Sequence, residues 1–499
     1  MRMSQPAPIK ASSAKLSPWL LRCERIFQVR PAGEQIPGGR QWLWARDPDG
    51  NRIELRGQLE DGFLVLQSQS DSLTPAGKSE NFEKLRTLCS ETIARDRGGD
   101  RYALGHIRAA REREKINVPL LLEQQGAPLA PPTRLVIFGD SLSDSGNLRN
   151  RLLIFPAYPY WVGRFSNGPN WADYLERLLD VPVQNHAYGG ASVHPRSLMP
   201  KRSLLHQVTE EGQFFVSGSM HLQIEDYLDL FLLDGQVDRP DKTIFILWGG
   251  ANDYLAKLPF TDLVRTLLDR PGDAGGYKEV AQKVVNSLAE QVQRLYEAGG
   301  RNFLVMNLPD LGRTPVVLQN LAYGIKAGHE TESNRKIALS ERLTALIDFH
   351  NKVLASALAG LRESLPGIVI QEVDTQASFD RILDADFRFE PGDEIFDLGF
   401  DLESQGQVLD GAGKSLGIQS PCFTGNYIGR SRPEDSCPAA DRVVFWDNVH
   451  PTTFTHCWQA YLIAREMQSA GWLSDLASPE EHKAACIEYG DRRYPPATK

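Results

Sequence analysis

The stretch Phe138-Gly139-Asp140-Ser141-Leu142-Ser143-Asp144-Ser145-Gly146-Asn147 constrains this 499-residue chain more than any other. It follows Arg134-Leu135-Val136-Ile137-Phe138, a short β-branched apolar run that reads as a buried parallel strand. A Gly-Asp-Ser turn at the end of such a strand lifts the serine hydroxyl to the carboxyl edge of the sheet, where open α/β folds bind their ligands. Ser141 is therefore the candidate nucleophile. A turn rich in Ser, Asp, Gly and Asn also forms for conformational reasons alone. The rest of the chain must therefore supply the partners that a reactive serine needs.

A serine hydroxyl attacks only when a base takes its proton, and the base needs a third group to fix its tautomer. Asp447-Asn448-Val449-His450-Pro451-Thr452 offers both on a loop that enters an apolar-periodic helix from Phe454 to Met467. Donors for the oxyanion of an attacked carbonyl are available from two Gly-rich stretches. Thr243 to Trp248 reads as a second buried strand and ends in Gly249-Gly250-Ala251-Asn252-Asp253. Asn185-His186-Ala187-Tyr188-Gly189-Gly190-Ala191-Ser192 lies between the two, with paired glycines that let a backbone N–H approach a ligand. Taken singly, each of these is an ordinary turn, and a DxxH pair occurs by chance in long chains.

Ser141, Gly190, Asn252 and His450, in that order and each at the end of an element, resemble the four blocks of the GDSL (SGNH) hydrolase family over residues 133 to 470. The blocks stand as FGDSLSDSGN, GGAND and DNVHPT, and Phe165-Ser166-Asn167-Gly168 fits a segment of the longer members. The resemblance implies an α/β class fold, a three-layer α/β/α arrangement with a parallel sheet. It implies Ser141 as nucleophile, His450 as base and Asp447 as its orienter. It also implies an oxyanion hole from the Ser141 and Gly190 N–H groups and the Asn252 side chain, with Gly189 as the alternative in the second block. Neither a cofactor nor a metal is required for that chemistry.

At 499 residues the chain is too long for one ordinary core. The reading is a flexible N-terminus over 1–15, a small β-rich α+β domain over 16–125, a Pro-rich linker over 126–132 and the hydrolase domain over 133–499. Within the last, the periodic pattern stops over about 380–441. Gln41 to Ala45 and Arg52 to Leu55, around Asp47-Pro48-Asp49-Gly50-Asn51, predict a β-hairpin with Phe63 to Leu66 as a third strand. A helix is expected from Ser79 to Arg95. Further helices are expected over Asn170–Leu179, His221–Leu233, Tyr277–Ala298 and Ser333–Leu361, and strands over Asn302–Asn307 and Gly367–Val373.

The net charge of −9 is spread along the chain, which argues against a nucleic-acid partner. No apolar run approaches the length of about 18 residues that spans a bilayer. The six cysteines form an even set without CxxC spacing, which argues for disulfides and against zinc. Pairing by proximity gives Cys23–Cys89, Cys422–Cys437 and Cys457–Cys486. The second would close a loop beside Asp447 that covers or shapes the site entrance, with Arg430 inside it as a protease site.

The front domain, with an Arg-Cys near its start, Trp-rich strands and a Cys-bearing helical segment, resembles that of bacterial thermolabile hemolysins. These are phospholipases close to the glycerophospholipid–cholesterol acyltransferases. The resemblance implies phospholipid or lysophospholipid as substrate, cholesterol as a second acyl acceptor, peripheral membrane contact and a secreted protein. The alternatives are an esterase for small or carbohydrate esters, and a membrane- or host-binding protein that uses the fold as a scaffold.

Overall fold

In the computed structural model the described residues are 19–27, 42–43, 53–54, 64–66, 102–110, 134–152, 155–157, 159–179, 183–193, 218–232, 243–255, 274–319, 332–409, 413–427, 435–437, 440 and 442–491. The front part contributes five strands: β1 (Trp19–Phe27), β2 (Trp42–Leu43), β3 (Ile53–Glu54), β4 (Leu64–Leu66) and β5 (Tyr102–Ala110). β1 pairs antiparallel with β5 from Leu20↔Ala110 to Phe27↔Tyr102, and with both β4 and β2. The expected hairpin between the segments around residues 42 and 53 does not form. β2 docks on β1, while β3 pairs with β4 through Ile53↔Leu66 and Glu54↔Val65. A long-range ladder of nine-residue strands outweighs the local turn chemistry that favoured the hairpin. The helix expected over 79–95, the linker, and Cys89 with its pairing to Cys23 lie outside the described residues.

The rest of the chain builds a parallel sheet from β6 (Arg134–Gly139), β7 (Val183–Asn185), β8 (Thr243–Trp248), β9 (Asn302–Met306) and β10 (Val369–Val373), in the order β10-β9-β8-β6-β7. The long helices are α1 (Trp171–Leu179), α2 (Met220–Leu232), α3 (Ala274–Glu297), α4 (Glu332–Ser364), α5 (Thr375–Leu383), α6 (Thr453–Ser469) and α7 (Pro479–Asp491). Strand alternation divides the apolar residues between two cores. Val136, Phe138, Phe245, Leu247, Phe303 and Val305 face α2, α3 and α4. Leu135, Ile137, Ile244, Ile246, Leu304 and Met306 face α1 and α6. Both faces of the sheet are covered, which explains why its strands read as unbroken apolar runs. The domain is a three-layer α/β/α fold, as the sequence implies.

The strand order fixes where a ligand can bind. From β6 the chain moves to β7 at one edge, and from β8 it moves to β9 and β10 toward the other. The adjacent carboxyl ends of β6 and β8 therefore flank the switch point where open α/β sheets form their crevice. Among the described residues between α5 and α6 the backbone is mostly irregular, with one short antiparallel pair, β11 (Gln407–Leu409) and β12 (Ser415–Ile418). Disulfides join Cys422 to Cys437 and Cys457 to Cys486, the second tying α7 to α6. Among the described residues no helix is long and apolar enough to cross a membrane.

Candidate active site

β6 ends at Gly139, where a Cβ would stand 2.5 Å from the Trp248 carbonyl at the end of β8. Only glycine allows the two strand ends to approach this closely. The Gln223 side chain of α2 seals the junction by accepting from Gly139 N at 2.9 Å and donating to Gly139 O at 2.8 Å. The chain then turns back, with Ser143 N and Asp144 N donating to the Asp140 carbonyl and Leu142 N donating to the Asp140 carboxylate at 3.0 Å. Ser141 stands at the apex of this turn.

The second block is stitched to the first by buried polar groups. Asp144 accepts from Gly146 and Asn147 N–H on Oδ1, and from Leu148 and Gly189 N–H on Oδ2. Asn147 Nδ2 donates to the carbonyls of Asn185 and Ala187, while Asn185 Nδ2 donates to Ser143 O at 2.7 Å. The Gly189 N–H, 2.7 Å from Asp144 Oδ2, is thus engaged by the scaffold. Gly190, at φ 80°, lines the cavity beside Ser141. Asn252 opens the short helix that follows β8, with its Nδ2 donating to Ala191 O at 3.1 Å.

The fourth block closes the arrangement. His450 Nε2 lies 2.8 Å from Ser141 Oγ, and His450 Nδ1 lies 2.7 Å and 2.9 Å from the two oxygens of Asp447. Asp447 Oδ1 also accepts from the N–H groups of Val449 and His450 at 2.9 and 2.8 Å. The Phe165-Ser166-Asn167-Gly168 segment braces this loop. The Phe165 ring packs against the imidazole with 5.0 Å between centroids, Ser166 Oγ donates to Pro451 O, and Asn167 Oδ1 accepts from Thr453 N. The structure brings Ser141, Gly190, Asn252 and His450 to one cavity, with Asp447 behind the histidine.

Burial opposes ionisation of Asp447, yet the charge of His450, its hydrogen bond and the two loop amides outweigh burial and hold the carboxyl below its usual range. The carboxyls that hold the turns move the other way. Desolvation pushes Asp140 and Asp144 up to about 6, and Asp253, which accepts from Val193 N, up to about 7. The cavity, about 570 Å³, is walled mainly by apolar side chains, among them Leu148, Phe155, Phe165, Phe379, Leu383 and Phe445. Its size is that of pockets that enclose a small organic ligand.

Three contributions were not legible in the sequence. Gln223 at the strand end is one. Tyr160 is another: its hydroxyl donates to Asp447 Oδ2 at 2.7 Å. Tyr427, from the segment closed by Cys422–Cys437, lines the cavity and stacks on Tyr160 at 5.1 Å. That segment is bonded to the strand-like run before Asp447 through Cys422 N to Phe445 O and Phe423 N to Trp446 O. Arg430 lies outside the described residues. Among the described residues, Cys457, His482 and Cys486 are grouped closely enough to ligate an ion, with the two sulfurs joined in a disulfide.

The GDSL-like Lipase/Acylhydrolase family model matches residues 135–463. A thermolabile hemolysin of Vibrio parahaemolyticus is 24% identical over 436 residues, covering 87% of this chain and 84% of that protein. A phosphatidylcholine-sterol acyltransferase of Aeromonas hydrophila is 24% identical over 348 residues, covering 65% of this chain and 87% of that protein. An acetylesterase of Thermothelomyces thermophilus is 28% identical over 283 residues, covering 53% and 80% respectively.

Proposed function

Because the chain belongs to the GDSL-like lipase and acylhydrolase family, we propose that it cleaves the acyl esters of phospholipids or lysophospholipids through an acyl-enzyme on Ser141. The observation that carries this reading is the continuous contact from Asp447 through His450 to Ser141 at the wall of a largely apolar cavity. His450 Nδ1–H donates to Asp447, which leaves Nε2 to accept the Ser141 proton as Oγ attacks the carbonyl carbon. The oxyanion is received by the N–H groups of Ser141 and Gly190 and by the Asn252 amide, whose NH2 retains a second hydrogen beyond the one given to Ala191. His450 then gives its proton to the leaving alcohol. Water, deprotonated by the same imidazole, attacks the acyl-enzyme and releases the fatty acid.

The lipid substrate rests on the hemolysin and acyltransferase relatives together with the apolar wall. A sterol hydroxyl in place of water would give acyl transfer, with cholesterol as acceptor and peripheral contact with the bilayer as the route to both. The disulfides Cys422–Cys437 and Cys457–Cys486 support export to an oxidising compartment. The acetylesterase relative favours a second reading, hydrolysis of small esters.

The test uses wild type and Ser141→Ala on phosphatidylcholine vesicles with and without cholesterol, and on short and long p-nitrophenyl esters. We expect a fluorophosphonate to label wild type alone, and the variant to lose turnover by about 10³-fold or more with its thermal transition in place. Turnover in the variant within a few-fold of wild type overturns the serine assignment. Higher kcat/KM on acetyl than on long-chain esters selects the small-ester reading.

A further inference from the structure

Tyr160 and Asp447 stand 287 positions apart in sequence, and both are nearly inaccessible, at 2% and 5% exposure. The hydroxyl of Tyr160 donates to Asp447 Oδ2 at 2.7 Å, a distance typical of a bond to a charged acceptor. Its ring is held edge-on by Phe423 at 5.5 Å and by Trp446 at 6.3 Å, and Tyr427 stacks on it at 5.1 Å. Burial and then the neighbouring Asp447 charge raise the phenol far above its ordinary range, so it remains a neutral donor wherever the enzyme works. Asp447 therefore accepts from four donors: two loop amides, the imidazole and this phenol.

We infer that Tyr160 is a positioning residue of the serine site, fixing the Asp447 carboxylate and sharing its negative charge, and so setting the orientation and basicity of His450. The inference rests on the serine-esterase reading. The two amides are on Oδ1, whereas Tyr160 is on Oδ2, the oxygen closest to His450 Nδ1. Without the phenol the carboxylate could turn about its Cβ–Cγ bond and take the imidazole out of line with Ser141. An undivided carboxylate charge would also favour the imidazolium, which cannot serve as base. The other titratable groups facing His450 are Asp140 beside Ser141, Tyr427, whose hydroxyl stands 3.4 Å from His450 Nδ1, and His456 on α6.

Tyr160→Phe keeps the ring and removes the donor. On a short soluble ester we expect kcat to fall by about tenfold with KM within about twofold, the acid limb of the kcat/KM profile to move to higher pH, and the thermal transition to stay in place. The double-mutant cycle with Asp447→Asn isolates the route: in that background, removing the Tyr160 hydroxyl should change kcat by less than about twofold. Equal losses in both backgrounds, or an unmoved acid limb, overturn the inference, as does full activity in Tyr160→Phe. If wild type cleaves no ester, or Ser141→Ala cleaves as fast as wild type, the esterase reading itself has failed, and the two failures are distinct.

Discussion

Gly189 offers a sharp test of how tightly the site is packed. A Cβ there would stand 2.2 Å from Cε2 and 2.4 Å from Cζ of Phe165, and 3.1 Å from Cδ2 of Leu148. Ordinary contact begins near 3.5 Å, so Gly189→Ala must displace the Phe165 ring by about 1 Å. Phe165 has little room to yield: it is 5% exposed and packed against Phe155, Tyr160, Tyr427 and His450. Overpacking of this kind costs about 1–3 kcal/mol, which for a domain of this size lowers Tm by about 1–4 °C. Because the displaced ring bears on His450, kcat should fall by up to about 10²-fold, the scale of a 1 Å misplacement of a reacting group. Thermal unfolding and turnover of a short p-nitrophenyl ester read the two effects. Adding Phe165→Leu to the variant should restore part of both losses by opening space. A Gly189→Ala protein with Tm within 1 °C and kcat within about twofold of wild type would refute the packing argument, as would a double variant worse than the two single losses combined.

Asn252→Ala should raise the barrier by about 3 kcal/mol, seen as a kcat loss of about 10²-fold with KM held; a rise in KM at constant kcat would make Asn252 a binding residue. Burial lowers His350 to about 3, so the native state binds fewer protons there than the unfolded chain, and its contribution is lost as pH falls from about 6.5 toward 3. Comparing His350→Gln with wild type by urea unfolding at stepped pH should therefore show a shallower loss of stability for the variant below pH 6.5, and parallel curves would refute it. Replacing Cys422 and Cys437 together by Ala should release the segment that holds Tyr427 in the cavity wall. The expected result is a higher ratio of long-chain to short-chain kcat/KM, and equal changes on both substrates would remove the gating idea.

The parts of the site that were legible in the sequence are those whose geometry is local. Ser141 and Asn252 each follow a buried parallel strand by a few residues, and Asp447 and His450 share one loop, so strand periodicity and short motifs place them at one sheet edge. β7 escaped notice because its three residues carry too little periodicity to stand out from the Gly-rich turn that follows. The front sheet was misread for a related reason. Asp47 to Asn51 has hairpin chemistry, but the pairing that prevails joins β1 to β5 across some eighty residues, and nothing local encodes that ladder. Tyr160 and Gln223 mark the same boundary at the level of side chains. A tyrosine in an aromatic run, or a glutamine on a helix, has the same sequence signature whether its polar atom meets water, a strand end or a buried carboxylate.

The buried acids beneath the nucleophile turn explain why this architecture is held together as it is. Asp140, Asp144 and Asp253 organise backbone amides from three separate loops, a task no apolar side chain can perform, and each is raised by desolvation to about 6 or 7. Groups whose folded pKa lies above the unfolded value stabilise the native state below the unfolded value, and that contribution is lost as pH rises through the folded one. Between about pH 4 and 7 these carboxyls therefore favour folding on the acid side. His350, His456 and His482, lowered by burial to about 3, 3 and 4, act in the opposite sense over the range from about 6.5 downward. Among these groups, charging the buried histidines and neutralising Asp447 are what oppose folding on the acid side. Asp447 alone among these site carboxyls is held below its usual range, because the charge of His450, its hydrogen bond and two loop amides outweigh burial. The acids thus differ in what they face: Asp140, Asp144 and Asp253 accept from backbone amides, whereas Asp447 accepts from an imidazole and a phenol as well as two amides.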